Sequence, residues 1–165
     1  MVKIGIMSDS HDHRPNIRKA LELFEKKEIE TIIHAGDLVS PFCVKMFEKY
    51  KGKFYLCSGN NKGDTAVISG MMKKVGFFYQ EIGEFSLDEK RFALYHGTEE
   101  LVLNSLIYSK DPYDYVITGH THKKLLKKVG KTIIINPGET FDLYDHPTVV
   151  VLDTETRKVV FHSLD

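Results

Sequence analysis

Val2-Lys3-Ile4-Gly5-Ile6-Met7-Ser8-Asp9-Ser10-His11 opens on an apolar, β-branched run that empties into a polar loop, the pattern of a buried strand meeting its carboxyl end. The same arrangement recurs where Thr31 to His34 runs into Ala35-Gly36-Asp37, and where Phe54 to Cys57 runs into Ser58-Gly59-Asn60-Asn61. Each of these loops leads into a helical pattern. Pro15 suits a first turn, and Ile17, Ala20, Leu21 and Phe24 recur at the spacing of one helical face, with Lys26, Lys27 and Glu28 closing it. Ser40-Pro41 supplies an N-cap and first-turn proline for a helix to about Tyr50, and Asp64 caps a helix through Val75. Strand, loop and helix in series predict a parallel α/β sheet whose ligands collect beyond the carboxyl ends of the strands.

The pattern changes after that. Gln80 to Leu87 and Arg91 to Tyr95 read as a hairpin turning at Asp88-Glu89 and ending at His96-Gly97. A helix from Glu99 to Ser109 follows, with Leu101, Leu103, Leu106 and Ile107 as its apolar content, and then Tyr115 to Thr118 leads into Gly119-His120-Thr121-His122. Leu125 to Val129, a Gly130-Lys131 turn, Thr132 to Ile135, Val149 to Leu152 and Lys158 to His162 predict a second, largely antiparallel sheet. With no linker, repeat or low-complexity segment in view, residues 1–165 read as one domain of two facing sheets with outer helices.

Composition narrows the function classes. At 42% hydrophobic and 28% charged residues, disordered, collagenous and membrane readings fail. The longest apolar runs are too short to span a bilayer, and the first residues enter a strand pattern without a charged leader, so a cytoplasmic protein is expected. The balance of 23 basic and 23 acidic residues removes the electrostatic footprint of a dedicated nucleic-acid binder. Cys43 and Cys57 lack Cys-x-x-Cys spacing and read as reduced, buried small hydrophobes.

The strand ends then collect Asp9, His11, Asp37, Asn60, His96, His120 and His122. Singly, each has a bland reading, because Asp and Asn are turn residues and a lone His is usually structural. Together, ligand-type side chains at five strand ends on one face are hard to attribute to turn chemistry. Imidazole, carboxylate and amide donors without thiolate suit manganese, iron, cobalt, nickel or zinc. These donors exceed what one tetrahedral ion takes, and the two oxygens of Asp37 can serve neighbouring ions, so two metals are inferred. Ions about 3.5–4 Å apart are the recurrent device for in-line displacement at phosphorus.

With these motifs in this order, nearly the whole chain resembles the calcineurin-like metallophosphoesterases, and more closely their small bacterial and archaeal phosphodiesterase branch. The resemblance implies a four-layer α/β/β/α sandwich with two facing mixed β-sheets flanked by helices. It implies a first metal on Asp9, His11, Asp37 and His122 and a second on Asp37, Asn60, His96 and His120, manganese foremost, with nickel, cobalt, iron or zinc as alternatives. Asp37, Asn60 and His96 are taken as the catalytic set. A bridging water or hydroxide would attack a small or activated phosphodiester opposite the departing oxygen. The alternatives are a phosphomonoesterase or nuclease on the same site, or a protein-interaction scaffold of the retromer-subunit type.

The chain also departs from the family. Many larger members carry His after the Gly-Asn pair, whereas Asn61 stands here and has no acidic proton to give. General acid catalysis is worth about 100- to 10,000-fold, so its loss favours acidic leaving groups. The nearest acid to the branch's Gly-Asn-x-Asp position is Asp64, set back by Lys62 and Gly63. The family's Asn-Pro-Gly-Ser loop is Asn136-Pro137-Gly138-Glu139, and an anion near a phosphate pocket would repel substrate unless it points away. His34 reads as a core group or one behind the ligands, and His13 as an exposed loop residue or part of the entrance. His146 and His162 receive no role, and Lys123-Lys124 reads as a solvated pair. Phe77-Phe78-Tyr79 is a candidate partner surface, and a homo-oligomer is left open.

Overall fold

In the computed structural model, which describes residues 2–165, eleven strands form two facing sheets. The first half contains β1 (Lys3–Met7), α1 (Arg14–Lys26), β2 (Thr31–His34), α2 (Pro41–Phe47), β3 (Lys53–Cys57), α3 (Thr65–Met72) and β4 (Gly76–Tyr79). The second half contains β5 (Gly83–Leu87), β6 (Lys90–Leu94), α4 (Glu100–Ile107), β7 (Tyr115–Ile117), β8 (Lys124–Val129), β9 (Thr132–Pro137), β10 (Thr148–Asp153) and β11 (Val159–Ser163). The sheet orders are β11-β10-β1-β2-β3-β4 and β5-β6-β7-β9-β8.

Side-chain alternation explains why the early strands are apolar on both faces. Ile4 and Ile6 of β1, Ile33 of β2, and Tyr55 and Cys57 of β3 point into the layer between the sheets, where they meet Phe92, Leu94, Tyr115, Ile117 and Ile135. The intervening Met7, Ile32, Phe54 and Leu56 face outward and are covered by Ile17, Ala20 and Phe24 of α1, Val44 and Phe47 of α2, and Ile68 and Met72 of α3. On the far side Ala93, Val116 and Ile134 pack beneath Leu106 of α4. Four layers result, as expected.

The predicted caps hold: Ser40 accepts from the Phe42 N–H at 3.2 Å and Asp64 from the Val67 N–H at 3.1 Å. Both helices end three residues short of the expected Tyr50 and Val75.

Strand membership needed correction. β10 and β11 do not join the second sheet; β10 pairs antiparallel with β1 and covers the flank of β1 that β2 leaves open. The second sheet is mixed, because β6, β7 and β9 run parallel. Phe77-Phe78-Tyr79 is the edge strand β4, parallel to β3, with the Phe77 ring stacked 4.9 Å from Tyr55. Its four-residue length, directly after α3, leaves too little periodicity to announce a strand. The following strand accordingly begins at Gly83 rather than Gln80.

Phe54 is 1% exposed and stacked on Phe47 at 4.0 Å. Phe54→Ala should therefore cost about 3–5 kcal/mol in urea unfolding; a loss below about 1 kcal/mol would contradict this packing.

Candidate metal centre

Asp9 and His11 follow β1, Asp37 follows β2, Asn60 follows β3, His96 follows β6, and His120 and His122 follow β7. Every donor proposed from the sequence is brought to one place. Asp9, Asp37 and His96 form the buried floor, His11, His120 and His122 are half-buried, and Asn60 is exposed, so the group opens toward solvent. Asp9, His11, Asp37, His120 and His122 all have left-handed φ between 40° and 67°. Such residues cost about 1–3 kcal/mol each and persist where surrounding structure forces them, commonly at functional sites.

The backbone supplies that force. The Asp9 carboxylate accepts from the Ser8 hydroxyl at 2.6 Å and from the His120 N–H at 3.1 and 3.2 Å. A Cβ on Gly119 would collide with Ser8 and Asp9, and one on Gly36, whose φ is 102°, would meet the His96 ring. The Asp37 carboxylate accepts from the backbone N–H of Asn61 at 2.9 Å and from its side-chain amide at 2.8 Å. Asp12 bonds the Val39 and Ser40 N–H groups and so holds the loop after Asp37.

Two clusters of donors share these carboxylates. Asp9, His11 and His122 offer ligand atoms within 4.8 Å of one another, as do Asp9, Asp37 and His96. Asp37 Oδ2 lies 3.5 Å from His11 Nε2 and 3.5 Å from His96 Nε2. Asp9 Oδ1 likewise lies 3.4 Å from His122 Nε2 and 3.8 Å from His96 Nε2, so reach across the centre is not confined to Asp37. His120 joins the His96 side, since both rings approach Asn60 Oδ1 at 3.0 Å, whereas His122 stacks on His11 at 5.2 Å.

The electrostatics of the donors are set by burial and by one another. Burial pushes the Asp9 carboxyl above its ordinary value, even against the pull of His96 and His122. At Asp37 burial acts the same way, but His96 and Asn61 outweigh it and hold the carboxyl well below the usual range. Burial disfavours charge on His96, yet Asp37 and Asp9 raise its imidazole nonetheless. The Nε2 of His11 is buried with no hydrogen-bond partner. Carboxylate oxygens, imidazole nitrogens and an amide oxygen converging without thiolate fit divalent transition ions.

For several further residues the sequence marks the position without the partners. Glu139 is fully buried and places Oε2 2.5 Å from His122 Nδ1, so it faces a histidine and not a phosphate pocket. Asn136 bonds Gly119 O at 2.7 Å and steadies the loop carrying His120 and His122. The Asn-Pro-Gly signal marks this turn, but nothing local reveals partners 15 to 17 residues away. His34 is buried behind Ser10, with Nε2 2.9 Å from the Ser10 hydroxyl. His13 is half-buried, its ring edge-on to Phe141 at 5.7 Å. His146 lies exposed 3.6 Å from Asp165, Lys123 and Lys124 are exposed, and Asp64 is occupied as the α3 cap.

Residues 2–157 match the calcineurin-like phosphoesterase superfamily domain. A phosphodiesterase of Methanocaldococcus jannaschii is 40% identical over 160 residues, covering 95% of this chain and 96% of its own. The solved structure of an archaeal phosphodiesterase superposes with a TM-score of 0.92 at 38% identity, over 98% of this chain and 99% of that one. The Escherichia coli phosphoesterase Yfce shares the fold, with a TM-score of 0.68 at 16% identity over 99% of this chain and 100% of that one.

Burial lowers the His34 imidazole from 6.5 to about 3. The unfolded chain therefore takes up this proton first, so His34 weakens folding as pH falls from 6.5 towards 3. In metal-free protein, His34→Leu should flatten the pH dependence of the unfolding free energy across that window. Equal slopes for the two proteins would contradict the assignment.

Proposed function

Because the chain belongs to the calcineurin-like phosphoesterase superfamily, we propose that it hydrolyses small phosphodiesters at a two-ion centre. Asp9, His11, Asp37 and His122 would hold one ion, and Asp37, Asn60, His96 and His120 the other, with manganese foremost. The observation that carries this reading is the position of Asp37 Oδ2, 3.5 Å from the Nε2 atoms of both His11 and His96. Divalent ions held there would supply charge to neutralise phosphate oxygens and to lower the pKa of a bound water.

The chain's own groups set up that chemistry. His96 donates from Nδ1 to the Ala35 carbonyl at 2.6 Å, which in the neutral ring leaves the Nε2 lone pair facing the centre. Glu139 does the same for His122 from the Nδ1 side. Asn61 commits its backbone N–H and its side-chain amide to orienting Asp37 and carries no acidic proton. A leaving alcohol then departs without an imidazole acid at that position, which favours diesters whose alcohols are already acidic.

Diesters are preferred over monoesters on the strength of the 40% identical archaeal phosphodiesterase. A formal net charge of zero argues against a nucleic-acid polymer. A scaffold role gives no reason to keep this complete donor set on five strand ends. Among the described residues no helix is long and apolar enough to cross a membrane. Cys43 and Cys57 are free and buried, in keeping with the reducing cytoplasm to which we assign the protein.

Bis-p-nitrophenyl phosphate, p-nitrophenyl phosphate and single-stranded DNA, assayed in parallel with added manganese, should rank the diester first. Asp37→Ala should abolish the diester activity. Wild-type turnover in that variant would overturn the role of Asp37, and faster monoester hydrolysis would overturn the substrate class.

A further inference from the structure

Glu139 makes two unrelated sets of contacts with its two oxygens. Oε2 faces His122 Nδ1, whereas Oε1 accepts from the backbone N–H groups of Leu143 at 2.8 Å, Tyr144 at 2.6 Å and Asp145 at 2.8 Å. These N–H groups belong to a segment that lies against the donors: Phe141 sits 5.4 Å from the His11 ring and Tyr144 packs edge-on to His122 at 5.1 Å. Thr148 N donates to the Glu139 main-chain carbonyl at 2.9 Å and closes the loop at its neck.

Burial does not hold the tip of this loop, since Leu143 is 58% and Tyr144 75% exposed. The buried carboxylate is its anchor. The same carboxylate decides which nitrogen His122 can offer, because a neutral imidazole with its proton on Nδ1 has its lone pair on Nε2. An ion held on the Nε2 side would polarise the ring and strengthen Nδ1–H as a donor to Oε2, fixing in place the carboxylate whose other oxygen holds the three N–H groups.

We propose that Glu139 is a positioning residue that couples occupation of the His122 ion site to the order of the Leu143–Asp145 segment on the rim of the centre. The inference rests on the two-ion reading of that centre. It assigns one carboxylate to both the metal and the rim, so neither can be disturbed alone. A glutamine has the same shape but one acceptor oxygen: turned to the loop it presents N–H₂ to His122 Nδ1 and forces the wrong tautomer, and turned to His122 it opposes three N–H donors with two more.

The test combines manganese titration of metal-free protein with amide hydrogen exchange at Leu143, Tyr144 and Asp145. In the wild type, saturating manganese should slow exchange at these amides. In Glu139→Gln, manganese affinity should fall about 10- to 100-fold and the manganese-dependent protection should be lost, while the metal-free variant melts cooperatively. Wild-type exchange unaffected by bound manganese, or wild-type manganese affinity in Glu139→Gln, would overturn the coupling and leave the phosphodiesterase reading standing. Failure of the wild type to bind manganese would overturn both. If the variant does not fold, the wild-type exchange measurement decides alone.

Discussion

Two carboxylates, Asp9 and Asp37, are buried side by side at the carboxyl edge of the sheets, with 0% and 2% exposure. Burial disfavours charge on both, and the Asp37 anion adds to the penalty at Asp9. Hydrogen bonds from Ser8 and Asn61 offset part of this, and the imidazoles of His96, His11 and His122 face the carboxylates. Much of the surrounding structure serves to hold these groups in register. The left-handed residues, the glycines at the crossings and the Asn61 and His120 hydrogen bonds all keep the carboxylates where they cannot relax.

That local cost is carried by the layers beneath. β1, β2 and β3 are apolar on both faces, with one set of side chains between the sheets and the other under α1, α2 and α3. A strand gripped on both faces ends at a fixed point, so the loops after β1, β2 and β3 cannot drift. β6 and β7 are set the same way against α4. A polar centre of side chains from loops can thus be as rigid as one built on regular elements.

Much of this was legible in the sequence. The run from Val2 to Met7 ending at Asp9 announced both a buried strand and a ligand loop, because alternation and turn chemistry are local. The grouping of β10 with β1 was not legible, since a strand pattern says nothing about which open flank it will cover. β4 was missed because four residues carry no period. Glu139 was noticed as an anomaly but read as a hazard to phosphate, because its partners His122 and the 143–145 backbone are set by the fold of the loop. On spacing alone His120 and His122, two residues apart, suit a single ion as well as two. In the fold they face different neighbours, His120 toward Asn60 and His122 toward His11.

The central claim is that one carboxylate, Asp37, stands between two ion sites. Anomalous diffraction from manganese-soaked crystals tests it most directly. The account predicts two peaks flanking Asp37, one beside Asp9, His11 and His122 and the other beside Asn60, His96 and His120. A single peak, or manganese located away from these residues, would contradict it.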